Sequence, residues 1–215
     1  MKKLVAVLSV AFLGTAAMAQ EQQTSSESSL SPKFGLKLGA NLSNLYVDEV
    51  DDNNMKLGPN VGFFAKLPIA RGFSIQPELT YSNKGAKLRY DNFFQGSGEY
   101  RFNLHYVELP VMAVINLGSN FNIHGGPYIS YLAAANIKDM DDNGTINGAT
   151  ELNAENFNRF DAGLAAGIGV DISNVTIGAR YSYGMSEIGK SGSLSGNLTG
   201  DSKNSVVGIY IGIGF

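Results

Sequence analysis

The stretch SVVGIYIGIGF, residues 205–215, decides the fold. Val207, Ile209, Ile211, Ile213 and Phe215 are apolar, and Gly208, Tyr210, Gly212 and Gly214 stand between them. A period of two means a strand with two unlike faces. In a sheet that meets water, the second face is usually polar. Here it is mostly glycine, which weakens a strand unless the backbone bends tightly or another group must come close. A closed barrel supplies both conditions, with the apolar face turned outward.

The same alternation recurs eight times. The first strand runs over 33–43, with Phe34, Leu36, Leu38, Ala40 and Leu42 on one face. The second, over 60–69, carries Val61, Phe63, Ala65, Leu67 and Ile69, and the third runs from Phe73 to Tyr81. Val107 to Leu117 mark the fourth and Phe121 to Tyr131 the fifth. Phe160 to Val170 mark the sixth, Val175 to Tyr183 the seventh, and the terminal stretch is the eighth. Pro77 and Pro110 cannot donate to a ladder, which predicts local bulges. Tight connections at 70–72, 118–120 and 173–174 alternate with long polar ones at about 44–58, 91–100, 136–156 and 189–203. This predicts an all-β fold, an eight-stranded antiparallel up-and-down transmembrane β-barrel with short periplasmic turns and long outer loops. An even strand count places both termini on the periplasmic side.

Phe73, Phe121 and Phe215 fall beside the tight turns, and Tyr81, Tyr106, Tyr131 and Tyr183 fall toward the long loops. Two aromatic belts at the membrane interfaces are the expectation. Phe215 is then read as the residue by which an assembly machine recognises the last strand.

The first twenty residues fit export. Lys2 and Lys3 precede an apolar run from Leu4 to Leu13, and Ala17-Met18-Ala19 offers a small-x-small cleavage site before Gln20. That run is short of the ~20 residues a membrane-spanning helix needs. Residues 1–19 are therefore expected to be a signal peptide, 20–32 a disordered leader poor in apolar residues, and 33–215 the barrel. Cleavage removes two lysines and no acids from the 16 basic and 19 acidic residues, leaving a formal charge of −5. Nothing in that balance points to nucleic acid. The absence of cysteine rules out disulfides, thiolate metal sites and a cysteine nucleophile.

Several segments resemble the PorT-like outer-membrane β-barrel family, often called porin family proteins. They include GLKLGANLSNL (35–45), FSIQPELTYSNKGAKL (73–88), LHYVELPVMAVI (104–115) and GGPYISYLAA (125–134). FDAGLAAGIGVDI (160–172) and IGARYSYGMSEI (177–188) complete the resemblance, which extends over about residues 33–215. It implies an eight-stranded barrel in a Gram-negative outer membrane and no single biochemical activity.

The positions between the apolar ones carry charge. Lys37, Lys66, Glu78, Glu108, Arg159, Asp161 and Arg180 all have lumen parity. On the lipid side a lysine or arginine would cost ~2–4 kcal/mol at the midplane. An eight-stranded interior is filled by side chains, so Glu78 and Glu108 are expected to form a polar plug with Arg180 and Lys37. Gly163, Gly167, Gly169, Gly178, Gly208, Gly212 and Gly214 point the same way and leave one wall bare, a consequence of tight curvature first and otherwise room for water or a small ligand.

Other chemistry is sparse. Asp139, Asp141, Asn143 and Thr145 occupy alternate offsets of a calcium loop, with Gly144 at the sharp turn. The twelfth offset is Thr150 and the acid comes one residue late, so calcium is only an open candidate and no other cofactor is expected. His105 and His124 lie at different heights and cannot share a catalytic site. The resulting expectation is a monomeric, non-enzymatic outer-membrane barrel, partnered by lipid and by the assembly machinery. Its role is structural, or one of surface interaction with an extracellular ligand at the loops. A narrow porin for ions or small solutes and a lipid-A-modifying enzyme are the alternatives.

Overall fold

A computed structural model describes residues 30–46, 55–92, 96–141, 146–152, 157–189 and 202–215. Ten strands are present: β1 (Lys33–Tyr46), β2 (Lys56–Ala70), β3 (Phe73–Lys84), β4 (Lys87–Asn92), β5 (Gly96–Leu117), β6 (Phe121–Asp141), β7 (Ile146–Leu152), β8 (Phe160–Ile172), β9 (Val175–Gly184) and β10 (Lys203–Gly214). Eight of them, in the order β5-β3-β2-β1-β10-β9-β8-β6, form an antiparallel ring that closes where β5 pairs with β6. The chain is thus an eight-stranded antiparallel barrel, and closure leaves the ring without an unpaired edge.

At one end, here called the turn end, the hairpins are tight. Gly72 (φ 76°), Gly118 (φ 72°) and Ser173 (φ 55°) supply the left-handed backbone those turns need. Phe215 lies at the same end. Its N–H donates to the Phe34 carbonyl at 2.8 Å and its own carbonyl accepts from Phe34 at 3.3 Å.

The other end, the loop end, differs from the sequence expectation. Residues 91–100 and 136–156 were expected to be loops, yet β5 and β6 stay paired as far as Gly98 opposite Asp141. β4 pairs along the outer part of β5, and β7 along that of β6. The result is a four-stranded sheet, β4-β5-β6-β7, projecting beyond the ring. Above the apolar band both faces of a sheet can be polar, so hydrogen-bonded strands form there without the alternation that marks a lipid-facing wall. Gly85 (φ 135°) breaks the line between β3 and β4. A Cβ on Gly85 would meet the Phe102 carbonyl oxygen at 2.0 Å, which is why glycine stands there.

The prolines also act differently from the expectation. Gln76–Met112 and Pro77–Val111, then Thr80–Glu108 farther along, pair in one unbroken register. Pro77 and Pro110 therefore interrupt the ladder without shifting it. The register shifts fall instead between Pro68 and Ala70, between His105 and Tyr106, and between Asp139 and Met140.

The two faces separate cleanly. Leu38 is 58 % exposed, Leu164 59 % and Ile209 63 %, whereas Lys37, Glu78 and Arg180 are buried. Large apolar side chains thus form an outward sleeve on every ring strand, far beyond the patch a water-soluble monomer tolerates. Among the described residues no helix is long and apolar enough to cross a membrane; the strands make the sleeve.

Candidate functional site

Burial concentrates the polar side chains in the lumen, where three layers stack along the axis. Glu78, on β3, lies at the centre of the middle layer. Arg180 reaches it from β9, which stands diametrically across the ring. The guanidinium donates from Nη1 to Oε2 and from Nη2 to Oε1, both at 2.8 Å. Such a bidentate pair is among the strongest polar contacts a protein makes. Lys37 Nζ, on β1, donates to Oε2 at 2.9 Å, and Gln76 Nε2 to Oε1 at 2.9 Å. Lys37 also sits 4.0 Å above the centre of the Tyr210 ring.

Toward the turn end, Asp171 accepts from Asn122 Nδ2 at 2.9 Å and from Thr176 Oγ1 at 2.5 Å. Lys66 lies 3.7 Å from the same carboxylate. His124 contacts the Asn122 side-chain oxygen through Nδ1 at 3.1 Å and the Tyr210 hydroxyl through Nε2 at 3.3 Å. Toward the loop end, Lys84 and Glu108 form an ion pair. The Lys84 ammonium lies 4.9 Å from the Tyr128 ring centre and 5.2 Å from that of Tyr106. Tyr128 Oη donates to Asp161 at 3.3 Å, and Asn204 Nδ2 to the same carboxylate oxygen at 2.9 Å.

An apolar cap closes the loop end. Leu104, Tyr106, Leu132, Ala135, Phe157 and Ile188 pack together, all buried. Phe157 and Ile188 come from segments outside the strands. They are held by the bridge between Phe157 and Gly189 and by hydrogen bonds from Asn158 N–H to the Ile188 carbonyl and from Ile188 N–H to the Ser202 carbonyl, each 3.0 Å.

The structure redistributes several residues singled out in the sequence. Lys37, Glu78 and Arg180 meet. Glu108 pairs instead with Lys84, which continues the even parity of Glu78, Thr80 and Ser82 and was legible by that rule. Lys66 belongs to the Asp171 group at the turn end. Arg159 is outside the lumen: it precedes the first residue of β8 and donates to the Tyr131 hydroxyl at 2.9 Å on the outer wall. Parity does not govern a residue that lies off the strand. Tyr106 is not in the outer belt, since it is fully buried in the cap, while Tyr81, Tyr131 and Tyr183 do face outward.

The glycine wall is not bare. A Cβ on Gly178 would meet the Tyr210 ring at 2.5 Å, one on Gly163 the Tyr128 ring at 2.7 Å, and one on Gly167 the His124 ring at 2.6 Å. These three glycines are seats for rings from neighbouring strands, the close approach that makes glycine necessary there, while Gly169 and Gly208 face the Asn122 and Asn41 side chains. The sequence signal for this was an aromatic or histidine of lumen parity on the strand beside each glycine run.

His105, with its ring 6.0 Å from that of Tyr81, contacts Tyr81, Asn83 and Asn136 and shares no partner with His124. Of the calcium candidates, Asp139 and Asp141 lie within β6, their backbones paired with Tyr100 and Gly98, and Asn143 and Thr145 lie outside the described residues. The signal peptide and most of the 20–32 leader also lie outside them.

A family model described as an outer membrane protein beta-barrel domain matches residues 18–189. Among solved structures, the chain resembles Ail, the attachment invasion locus protein of Yersinia pestis, solved in complex with the heparin analogue sucrose octasulfate. That match has a TM-score of 0.50 at 12% identity and covers 86% of this chain and 99% of that one. Neisserial surface protein A matches with a TM-score of 0.49 at 12% identity, over 85% of this chain and 97% of that one. A search of curated proteins finds no match. At such identities the likeness shows the fold alone.

Proposed function

The chain belongs to the outer membrane protein beta-barrel domain family, and from that premise we propose that it is a closed surface scaffold that presents its loop end to an extracellular ligand. The observation carrying this reading is the filled lumen. Among the described residues three ion-pair layers and an apolar cluster fill it, and an eight-stranded ring has little room for an open path. Solute passage is then a poor use of the fold. The projecting sheet β4-β5-β6-β7 is the feature left to recognise a partner, on a rigid support.

In this reading the turn end and both termini face the periplasm, residues 1–19 are a removed signal peptide, and the barrel works as a monomer without catalysis or cofactor. The quoted motifs support a PorT-like placement within the family. A polyanionic sugar is the first ligand class to try. Lys87, Arg101 and Lys138 stand directly opposite one another across β4, β5 and β6. Basic residues set in register on one sheet give it a positive field of the sign a polyanion needs. The Yersinia protein's sulfated ligand is of the same class.

The test uses the full barrel in lipid nanodiscs and in planar bilayers. The expected result is saturable binding of sucrose octasulfate, weakened severalfold in Lys138→Ala and by added salt, with no steady conductance. A steady open conductance without sugar binding would refute the scaffold and promote the narrow porin.

A further inference from the structure

Among the described residues, the side-chain contacts of the polar column fall into two series. From Lys66 and Asp171 the contacts run through Asn122, His124 and Tyr210 to the Lys37–Glu78–Arg180 layer. From Lys84 and Glu108 a second series reaches Tyr128, Asp161 and Asn204. Between the two lies a chamber lined by Glu78 and Arg180 on one side and by Lys84 and Glu108 on the other.

Five atoms of residues lining this chamber are buried without a hydrogen-bonding protein partner. They are Asn60 Oδ1, Thr80 Oγ1, Lys84 Nζ, Glu108 Oε1 and Arg180 Nε. Lys84 and Glu108 touch as an ion pair but not in hydrogen-bond geometry. Thr80 is 2 % exposed, Lys84 1 % and Arg180 8 %. A buried polar atom without a hydrogen bond destabilises a fold, and Asn60 Oδ1, Thr80 Oγ1 and Arg180 Nε have no ion-pair contact either, so the set points to a missing partner.

The chemistry of the set identifies that partner. An anion needs donors only and a cation acceptors only. Here Lys84 Nζ and Arg180 Nε donate, Asn60 Oδ1 and Glu108 Oε1 accept, and the Thr80 hydroxyl does both. Water is the ligand that serves both kinds at once. The chamber's volume of about 40 Å³ is well above the roughly 10–15 Å³ that one water needs, so several fit. We propose that this chamber is a built hydration site whose ordered waters join the two ion-pair layers into one network along the barrel axis. The layers then hold each other in place across the gap, and the lumen is rigid without being dry.

Two measurements test this on the folded barrel in detergent micelles or nanodiscs. The first is water-to-protein NMR transfer on the wild type. Cross-peaks from long-lived water to the Thr80 and Ser182 amides are expected, and their absence would overturn the proposal. The second is Thr80→Val, which keeps the shape and removes the hydroxyl. In a hydrated chamber the variant strips a water of a partner, and the unfolding equilibrium constant rises several-fold. In a dry chamber it removes an unpaired hydroxyl, and the constant falls or stays level. The sign therefore decides, and a constant that falls or stays level overturns the proposal. A rise in stability when chloride replaces fluoride at fixed ionic strength would assign the chamber to an anion and overturn it equally.

Discussion

Removing Glu78 should be the most damaging single change in the lumen. Its carboxylate accepts four hydrogen bonds, two from Arg180 and one each from Lys37 and Gln76. The side chains of the triad are 0 % exposed for Glu78, 5 % for Lys37 and 8 % for Arg180, so solvent cannot screen what remains. Glu78→Ala leaves two cations facing one another without their counter-ion. Arg180→Met leaves Glu78 still bound by Lys37 and Gln76. Breaking a buried pair costs ~3–5 kcal/mol, which places Glu78→Ala at about 5 kcal/mol and Arg180→Met at about 3 kcal/mol. Replacing all three by Leu, Met and Met should recover most of the loss, because an apolar triad removes the desolvation penalty along with the attraction. The assay is reversible urea unfolding in lipid vesicles, followed by heat-dependent gel mobility and far-UV circular dichroism, since the chain has no tryptophan. Equal costs for the two single variants, or a cost below about 1 kcal/mol for Glu78→Ala, would show that the charges are solvated and the triad argument wrong.

Lys66→Ala, by contrast, should cost under about 1 kcal/mol in the same titration, because its 3.7 Å pair with Asp171 is about one-fifth exposed at each end. Gly178→Val should push the Tyr210 ring from its seat and, with it, the contacts to His124 and Lys37; the readout is a loss of heat-resistant folded barrel on refolding, and an unchanged yield would count against the packed wall. Deleting Phe215 should slow barrel formation more than deleting residues 20–29, since it removes two hydrogen bonds at the β1–β10 seam; equal folding rates would remove any role for that residue in closure. Replacing both Phe157 and Ile188 by Ala should raise brief conductance events in planar bilayers while leaving the ion-pair layers stable to urea, and silence in that variant would mean that the cap is not the barrier at the loop end.

The eight ring strands and their outward face were legible in the sequence because period two is a local property. Each strand shows it without reference to its neighbours, and the sleeve of Leu, Ile, Val and Phe follows from the lipid it must face. Parity also placed Lys37, Glu78 and Arg180 inside, since a charge on the other face would meet hydrocarbon. Three things were beyond the sequence. Which charge meets which depends on strand stagger around the closed ring, so Glu108 took Lys84 and not Arg180. Parity fails where the chain leaves a strand, and Arg159 therefore fell on the outer wall. The glycine runs read as an empty surface because the rings of Tyr128, His124 and Tyr210 that fill it arrive from neighbouring strands. Alternation along one strand is set by that strand's own backbone. Contact across a lumen is set by closure, register and side-chain length together, and only the folded ring combines them.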